Sequence, residues 1–204
     1  SNKNNILTDF FTTGTYDARR EFYKTNAPAM DILVSSNLER LVWFMVNGDS
    51  EKVNKYMEEL KETGVYKVDD ETLARVQKEF KAGCLGEEDV LKVVHDCWNE
   101  NKYLLDTHTA VGYGVYEEYV KNTGDTTKTI LLSTASPYKF PESVYQALTG
   151  EEVDVYTAIE KLHELTGMDI SYPLKGIKDR EILHKGVIDR DAILDTIADK
   201  IKEY

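Results

Sequence analysis

The chain has 204 residues, 41% of them hydrophobic, enough to bury a core of one domain or two. Lys and Arg number 25 against 37 Asp and Glu, a formal net charge of -12 at pH 7, and such a surface repels phosphate backbones and anionic lipid. Nucleic acid and membrane are therefore excluded as expected partners, and the longest apolar stretch, Leu41 to Val46, is far below the roughly 20 residues of a bilayer-spanning helix.

No basic-then-apolar leader opens the chain, so a cytoplasmic location is the default expectation. Ser1-Asn2-Lys3-Asn4-Asn5 lacks an initiator Met and runs directly into an apolar-periodic segment, which predicts a processed or truncated chain. Cys84 and Cys97, with His95 near the second, assemble neither a CxxC pair nor a four-ligand set, so no metal site is expected.

Ile6, Leu7, Phe10 and Phe11 recur at helical spacing, and Gly14 is suited to end that helix, which places it over 5–13. Thr15 to Ser36 shows no sustained period and reads as a long ordered loop. Ser36-Asn37-Leu38-Glu39 has capping-box form, and Leu38, Leu41, Val42 and Met45 continue a helix that Asn47-Gly48 stops. Val53, Tyr56, Met57 and Leu60 form one apolar stripe, Val90, Val93, Val94 and Cys97 another, with a shorter helix around Leu73 to Phe80 between them. Gly64 to Val68 is a brief extended piece too short for a confident sheet strand. Ala110, Val111, Gly114 and Val115 put small residues at i and i+4, letting a helix approach a neighbour closely.

The texture then changes. Thr129-Ile130-Leu131-Leu132 has the continuous apolar pattern of a strand buried on both faces of a parallel sheet. Ser133-Thr134-Ala135-Ser136-Pro137 ends it, and Pro141-Glu142-Ser143-Val144 opens a new helix. Val155, Ala158, Ile159 and Leu162 give one further stripe, and Leu194, Ile197, Ala198 and Ile201 the last. A single buried parallel strand among about eight helices has no neighbours to pair with, which again predicts a fragment.

A strand running into a hydroxyl-rich turn and then a helix is where open α/β sheets place ligands. Ser133, Thr134 and Ser136 stand there without a neighbouring histidine to act as a base, so they read either as ligand contacts or as turn-capping hydroxyls.

Residues 130–148, ILLSTASPYKFPESVYQAL, resemble the strand, turn and helix of the threonine synthases. SNKNNILTDFFTTG at 1–14, TNAPAMDILVSSNLERL at 25–41 and YLLDTHTAVGYGVYEEY at 103–119 resemble further segments of that family in the same order. The resemblance implies an α/β fold class: the mostly helical C-terminal portion of a tryptophan synthase β-like (fold type II) pyridoxal-phosphate enzyme, with one or a few strands. It implies conversion of O-phosphohomoserine and water into threonine and phosphate, the last step of threonine biosynthesis. It also implies that no catalytic residue lies in this chain. The Schiff-base lysine and the glycine-rich loop for the cofactor phosphate are expected upstream, in the other half of the enzyme, which becomes this chain's expected partner beside the substrate.

Four cofactor-binding residues follow from the matched positions. Thr134 stands where the family places the hydroxyl facing the pyridoxal ring nitrogen, with Ser133 as reserve because a shift of one residue exchanges the face. Asn2 and Asn4 match positions near the face of the ring, helix capping being their alternative reading. Ala29-Met30-Asp31 matches a loop near the active cleft, where a structural turn is the plainer reading, and His108 is expected to cap or pack locally more than to act as a base. Ser136 departs from the family, where histidine often follows the Thr-Ala pair. The implied layout is residues 1–36 as the end of the cofactor-domain sheet region with the cleft loop, 37–105 as a helical subdomain, 106–150 as the strand, turn and helix returning to the cofactor domain, and 151–204 as a C-terminal helical segment. The competing reading is an acidic helical protein-interaction module without catalysis, and a third is a small-molecule binder that does not turn over.

Overall fold

The computed structural model describes residues 1–203, divided into two compact units, one over 1–170 and one from 171 onward. The architecture is mostly helical with few strands, as the periodicity predicts.

In the first unit, α1 (Ile6–Thr13) stops at Gly14, whose φ of 75° an L side chain adopts only under strain and whose N–H closes the helix onto the Phe10 carbonyl at 2.8 Å. The chain then enters β1 (Thr15–Asp17), which pairs antiparallel with β2 (Val65–Lys67), Tyr16 opposite Tyr66. The long loop expected after Gly14 therefore begins with a strand, and the short extended piece at 64–68 is its partner. Between them lie α2 (Ser36–Met45) and α3 (Ser50–Thr63), and α4 (Asp70–Glu79) follows. The hydroxyl of Ser36 does not cap α2: the N-cap is Ser35, without a side-chain bond. Asp49 and Asp69 cap α3 and α4 by accepting from the N–H three residues on. One core gathers Ile6, Phe10, Tyr16, Val42, Val53 and Tyr66, where Tyr16 and Tyr56 stack on Tyr66 at 5.4 and 5.5 Å between centroids.

The rest of the unit is a helical layer: α5 (Glu87–Asn101), α6 (Thr107–Thr123), α7 (Pro141–Thr149) and α8 (Val155–Thr166). α5 packs on α6 and α7, and α7 on α8, burying Val90, Val94, Val111, Val144, Ile159 and Leu162. Gly114 of α6 permits that approach, because a Cβ there would meet Leu85 Cδ1 at 2.5 Å and Val93 Cγ2 at 3.0 Å.

No strand forms at 129–132. Ile130 and Leu132 are exposed and no ladder partner exists among the described residues, so the apolar run forms no sheet element.

The second unit consists of short 3-10 turns and α9 (Ile193–Lys202), whose apolar residues Ile193, Leu194, Ile197 and Ile201 are exposed. Among the described residues, no helix is long and apolar enough to cross a membrane, and no group of His, Cys, Asp and Glu could hold a metal ion.

Candidate functional site

One carboxylate organises the N-terminus of α6. Asp106 is the N-cap and only 2% exposed. Its Oδ1 accepts from the backbone N–H of His108 at 2.9 Å and of Thr109 at 3.3 Å, and from His108 Nδ1 at 3.0 Å; its Oδ2 accepts from the Thr109 hydroxyl. Burial pushes this carboxyl up, but the bonds from His108 and Thr109 outweigh burial and hold it below the ordinary carboxylate value.

His108 is therefore neither a free base nor the cap. With Nδ1–H donated to Asp106, its Nε2 accepts from the backbone N–H of Ala29 at 3.0 Å, which occupies the nitrogen a general base would present. The ring is buried against Phe140, 5.1 Å between centroids. The expected local packing is what the structure shows, with a bridge to a distant loop added to it.

That loop is tied down from its other side by Asn2 and Asn4. Asn2 Nδ2 reaches the Thr25 hydroxyl at 2.8 Å and Asp31 Oδ1 at 2.7 Å, while its Oδ1 accepts from Asn4 N–H at 2.9 Å. Asn4 Nδ2 donates to the Tyr23 carbonyl at 2.8 Å and to Asp31 Oδ1 at 3.1 Å, and Tyr23 N–H returns a bond to Asn4 Oδ1. Both side chains are buried, and neither caps α1, whose N-cap is Asn5 without a side-chain capping bond. Asp31 also accepts from the Thr25 N–H and hydroxyl, so the carboxylate expected near the cleft fastens the loop to the chain's first residues.

The hydroxyl turn lies on the open side of α6. Ser133 and Thr134 are exposed, and the Ser133 hydroxyl is 3.4 Å from Thr109 Oγ1. Thr109 has one hydroxyl proton, given to the Asp106 carboxylate, so Ser133 is the donor in this long contact. Among the described residues Thr134 makes no side-chain hydrogen bond, and its hydroxyl is left for an outside acceptor. Ser136 caps the turn that follows by accepting from Tyr138 N–H at 3.2 Å, the structural use of a turn hydroxyl.

At the start of α6 is a cavity of about 320 Å³ lined by Leu7, Phe11, Met30, His108, Val111 and Gly112. A second, of about 670 Å³, shares Gly112 and Val115 with it and extends to Thr129. Leu131 Cδ1 lies 3.7 Å from where a Cβ would stand on Gly112, so the segment leading to Thr134 touches α6 at a residue that lines both cavities. The 25–31 loop, the start of α6 and the segment before the turn thus meet at one place.

Sequence reasoning missed Asp106 and Thr109 as the hub of this arrangement. Asp106 followed three residues later by a hydroxyl is a helix-start signal, and it was available in the sequence.

The family model described as "Threonine synthase, C-terminal" matches residues 109–170. Threonine synthase of Saccharomyces cerevisiae is 37% identical over 164 residues, covering 74% of this chain. The crystal structure of threonine synthase from yeast superposes with a TM-score of 0.82 at 29% identity over 100% of this chain. The chain belongs to the threonine synthase family. It spans 32% of the length of that yeast relative and 41% of the yeast crystal structure's chain, and its match is to the C-terminal part of the family. A second threonine synthase structure, from Brucella melitensis and described as PLP bound, superposes with a TM-score of 0.67 at 29% identity, covering 88% of this chain and 38% of that one. The segment that the threonine synthase model recognises begins at Thr109, the residue between Asp106 and Ser133, and includes the hydroxyl turn, α7 and α8.

Proposed function

We propose that this chain supplies the hydroxyl-turn wall of a pyridoxal-phosphate site in a threonine synthase, which converts O-phosphohomoserine and water into threonine and phosphate. The observation that carries the reading is the Thr134 hydroxyl, exposed and uncommitted among the described residues, in a turn where the neighbouring Ser136 hydroxyl is spent on the protein itself. A neutral hydroxyl fits the ring nitrogen of pyridoxal phosphate, because it donates one hydrogen bond without holding a proton on that nitrogen. Ser133, held loosely through Thr109, is the second hydroxyl within the turn. Asn2 and Asn4 fit the site differently: their amide hydrogens are consumed, so they set the position of the 25–31 loop at the edge of the ring site instead of donating to the ring.

The cofactor supplies the electron sink. This chain's contribution is to orient it through Thr134 and to close one side of the cleft with apolar surface from Met30, Val111 and Gly112. The lysine and the phosphate-binding loop we assign to the part of the enzyme that precedes this region, in a tryptophan synthase β-like fold. Residues 1–36 and 106–150 then face the cofactor domain, 37–105 form the helical subdomain and 151–204 the C-terminal helical segment. On this assignment the chain alone is inactive and the enzyme is cytoplasmic.

The test is Thr134→Ala in the complete enzyme, followed by phosphate release from O-phosphohomoserine and by cofactor titration. Loss of one buried hydrogen bond of about 1 to 3 kcal/mol should weaken both, with the fold intact. Turnover and cofactor affinity equal to those of the unsubstituted enzyme would reject the assignment.

A further inference from the structure

We propose that His108 is a positioning residue: it holds the backbone at Ala29, and with it the Met30 wall of the cavity, against the start of α6. The value of this role for catalysis rests on the cofactor reading given above; the role itself does not. Three observations converge on it. Asp106 fixes the ring by accepting from Nδ1, which leaves Nε2 with a lone pair, and that lone pair takes the Ala29 N–H at 3.0 Å across 79 positions of sequence. Met30 and His108 line the same cavity, so the bond ties one wall to the residue that precedes the other. The loop's other bonds to distant residues run to Asn2, Asn4, Glu87 and Ser143, none of them on α6: Asn26 N–H donates to Glu87 Oε2 at 2.6 Å and Asn26 Oδ1 accepts from the Ser143 hydroxyl at 3.3 Å, while Asp31 receives the two asparagines. Among the described residues, the His108 bond is the one that ties the loop backbone to α6.

The arrangement makes a prediction about one proton. At neutral pH the nitrogen NMR shifts of His108 in this chain should report the Nδ1–H tautomer with a bare Nε2; a ring carrying its proton on Nε2, or on both nitrogens, overturns the proposal before any variant is made. Substitution then separates the two bonds. In His108→Asn the side-chain amide can still donate to Asp106 but stops short of Ala29. Amide exchange at Ala29 should rise about fivefold, the size of one net hydrogen bond, with the amides of Val42 and Val94 unchanged. His108→Gln places an acceptor near the Nε2 position and should recover part of the protection. Unchanged Ala29 exchange in His108→Asn refutes the positioning role, and so does a uniform rise at Ala29, Val42 and Val94, which would mean that His108 serves only global stability. In the complete enzyme, the same His108→Asn change should raise the pyridoxal phosphate concentration for half-saturation severalfold. Ala29 exchange that rises while cofactor binding stays constant would uphold the positioning role and refute its contribution to cofactor binding, leaving the reading of the turn to Thr134→Ala.

Discussion

Replacing Asp106 by alanine removes more than a helix cap. The carboxylate accepts two backbone N–H groups, the His108 ring N–H and the Thr109 hydroxyl, and it is almost completely buried, so water does not readily replace it. Loss of the cap costs about 1 kcal/mol. The His108 and Thr109 donors, both on buried side chains, are left without an acceptor at about 1 kcal/mol each at the low end of the range. The total is about 3 kcal/mol, and with a urea slope of about 2 kcal/mol per molar for a protein of this size the midpoint should fall by about 1.5 M. Asp49→Ala is the internal comparison, because Asp49 caps α3 through one bond from Lys52 N–H at 3.0 Å and supports no buried donor. It should cost about 1 kcal/mol, a midpoint shift near 0.5 M. Equal shifts for the two variants in urea titrations followed by circular dichroism would refute the view that Asp106 is a hub and reduce it to an ordinary cap.

Asn2→Ala removes the amide that spans Thr25 and Asp31 from a fully buried position, so it should destabilise by about 2 to 3 kcal/mol through unsatisfied partners. Protease nicking within 23–31 should accelerate, and an unchanged cleavage rate and urea midpoint would show that the asparagine is not what holds the loop. Acid should weaken the first unit: the Lys52 ammonium holds Asp69 well below the usual carboxylate range, and the His108 and Thr109 bonds hold Asp106 down against burial. A depressed carboxyl contributes stability that is fully present above its unfolded value, 3.8 for aspartate, and is lost as pH falls through the folded value. The urea midpoint should therefore be level from neutral pH down to the unfolded aspartate value and decline below it, less steeply in Asp69→Asn. A midpoint that rises on acidification would contradict the sign.

The helices were legible because their evidence is local. Stripes such as Val53, Tyr56, Met57 and Leu60 or Val155, Ala158, Ile159 and Leu162 carry the 3.6-residue period within one element, and Gly14 ends α1 by its own backbone freedom. The β1–β2 pair was only half visible, since three-residue strands carry almost no period and their partners are separated by about fifty positions of chain. The run at 129–132 shows the converse: β-branched residues describe what a segment would do beside a neighbour, and Ile130 and Leu132 have none here. The site divides in the same way. The hydroxyl turn could be read from Ser133 to Pro137, and the Asp106 cap lies within reach of a local spacing rule, but the bond from Ala29 to His108 depends on a contact between distant positions that no spacing rule encodes.

We propose that Thr134 presents a hydroxyl to pyridoxal phosphate. The most direct test is cofactor titration, followed by visible absorbance, of the complete enzyme carrying Thr134→Ala and, separately, Thr134→Ser. Binding should be about tenfold weaker for alanine, the loss of one well-placed hydrogen bond, and nearly unchanged for serine, which keeps the donor. Equal affinity for the alanine variant and the unsubstituted enzyme would contradict it.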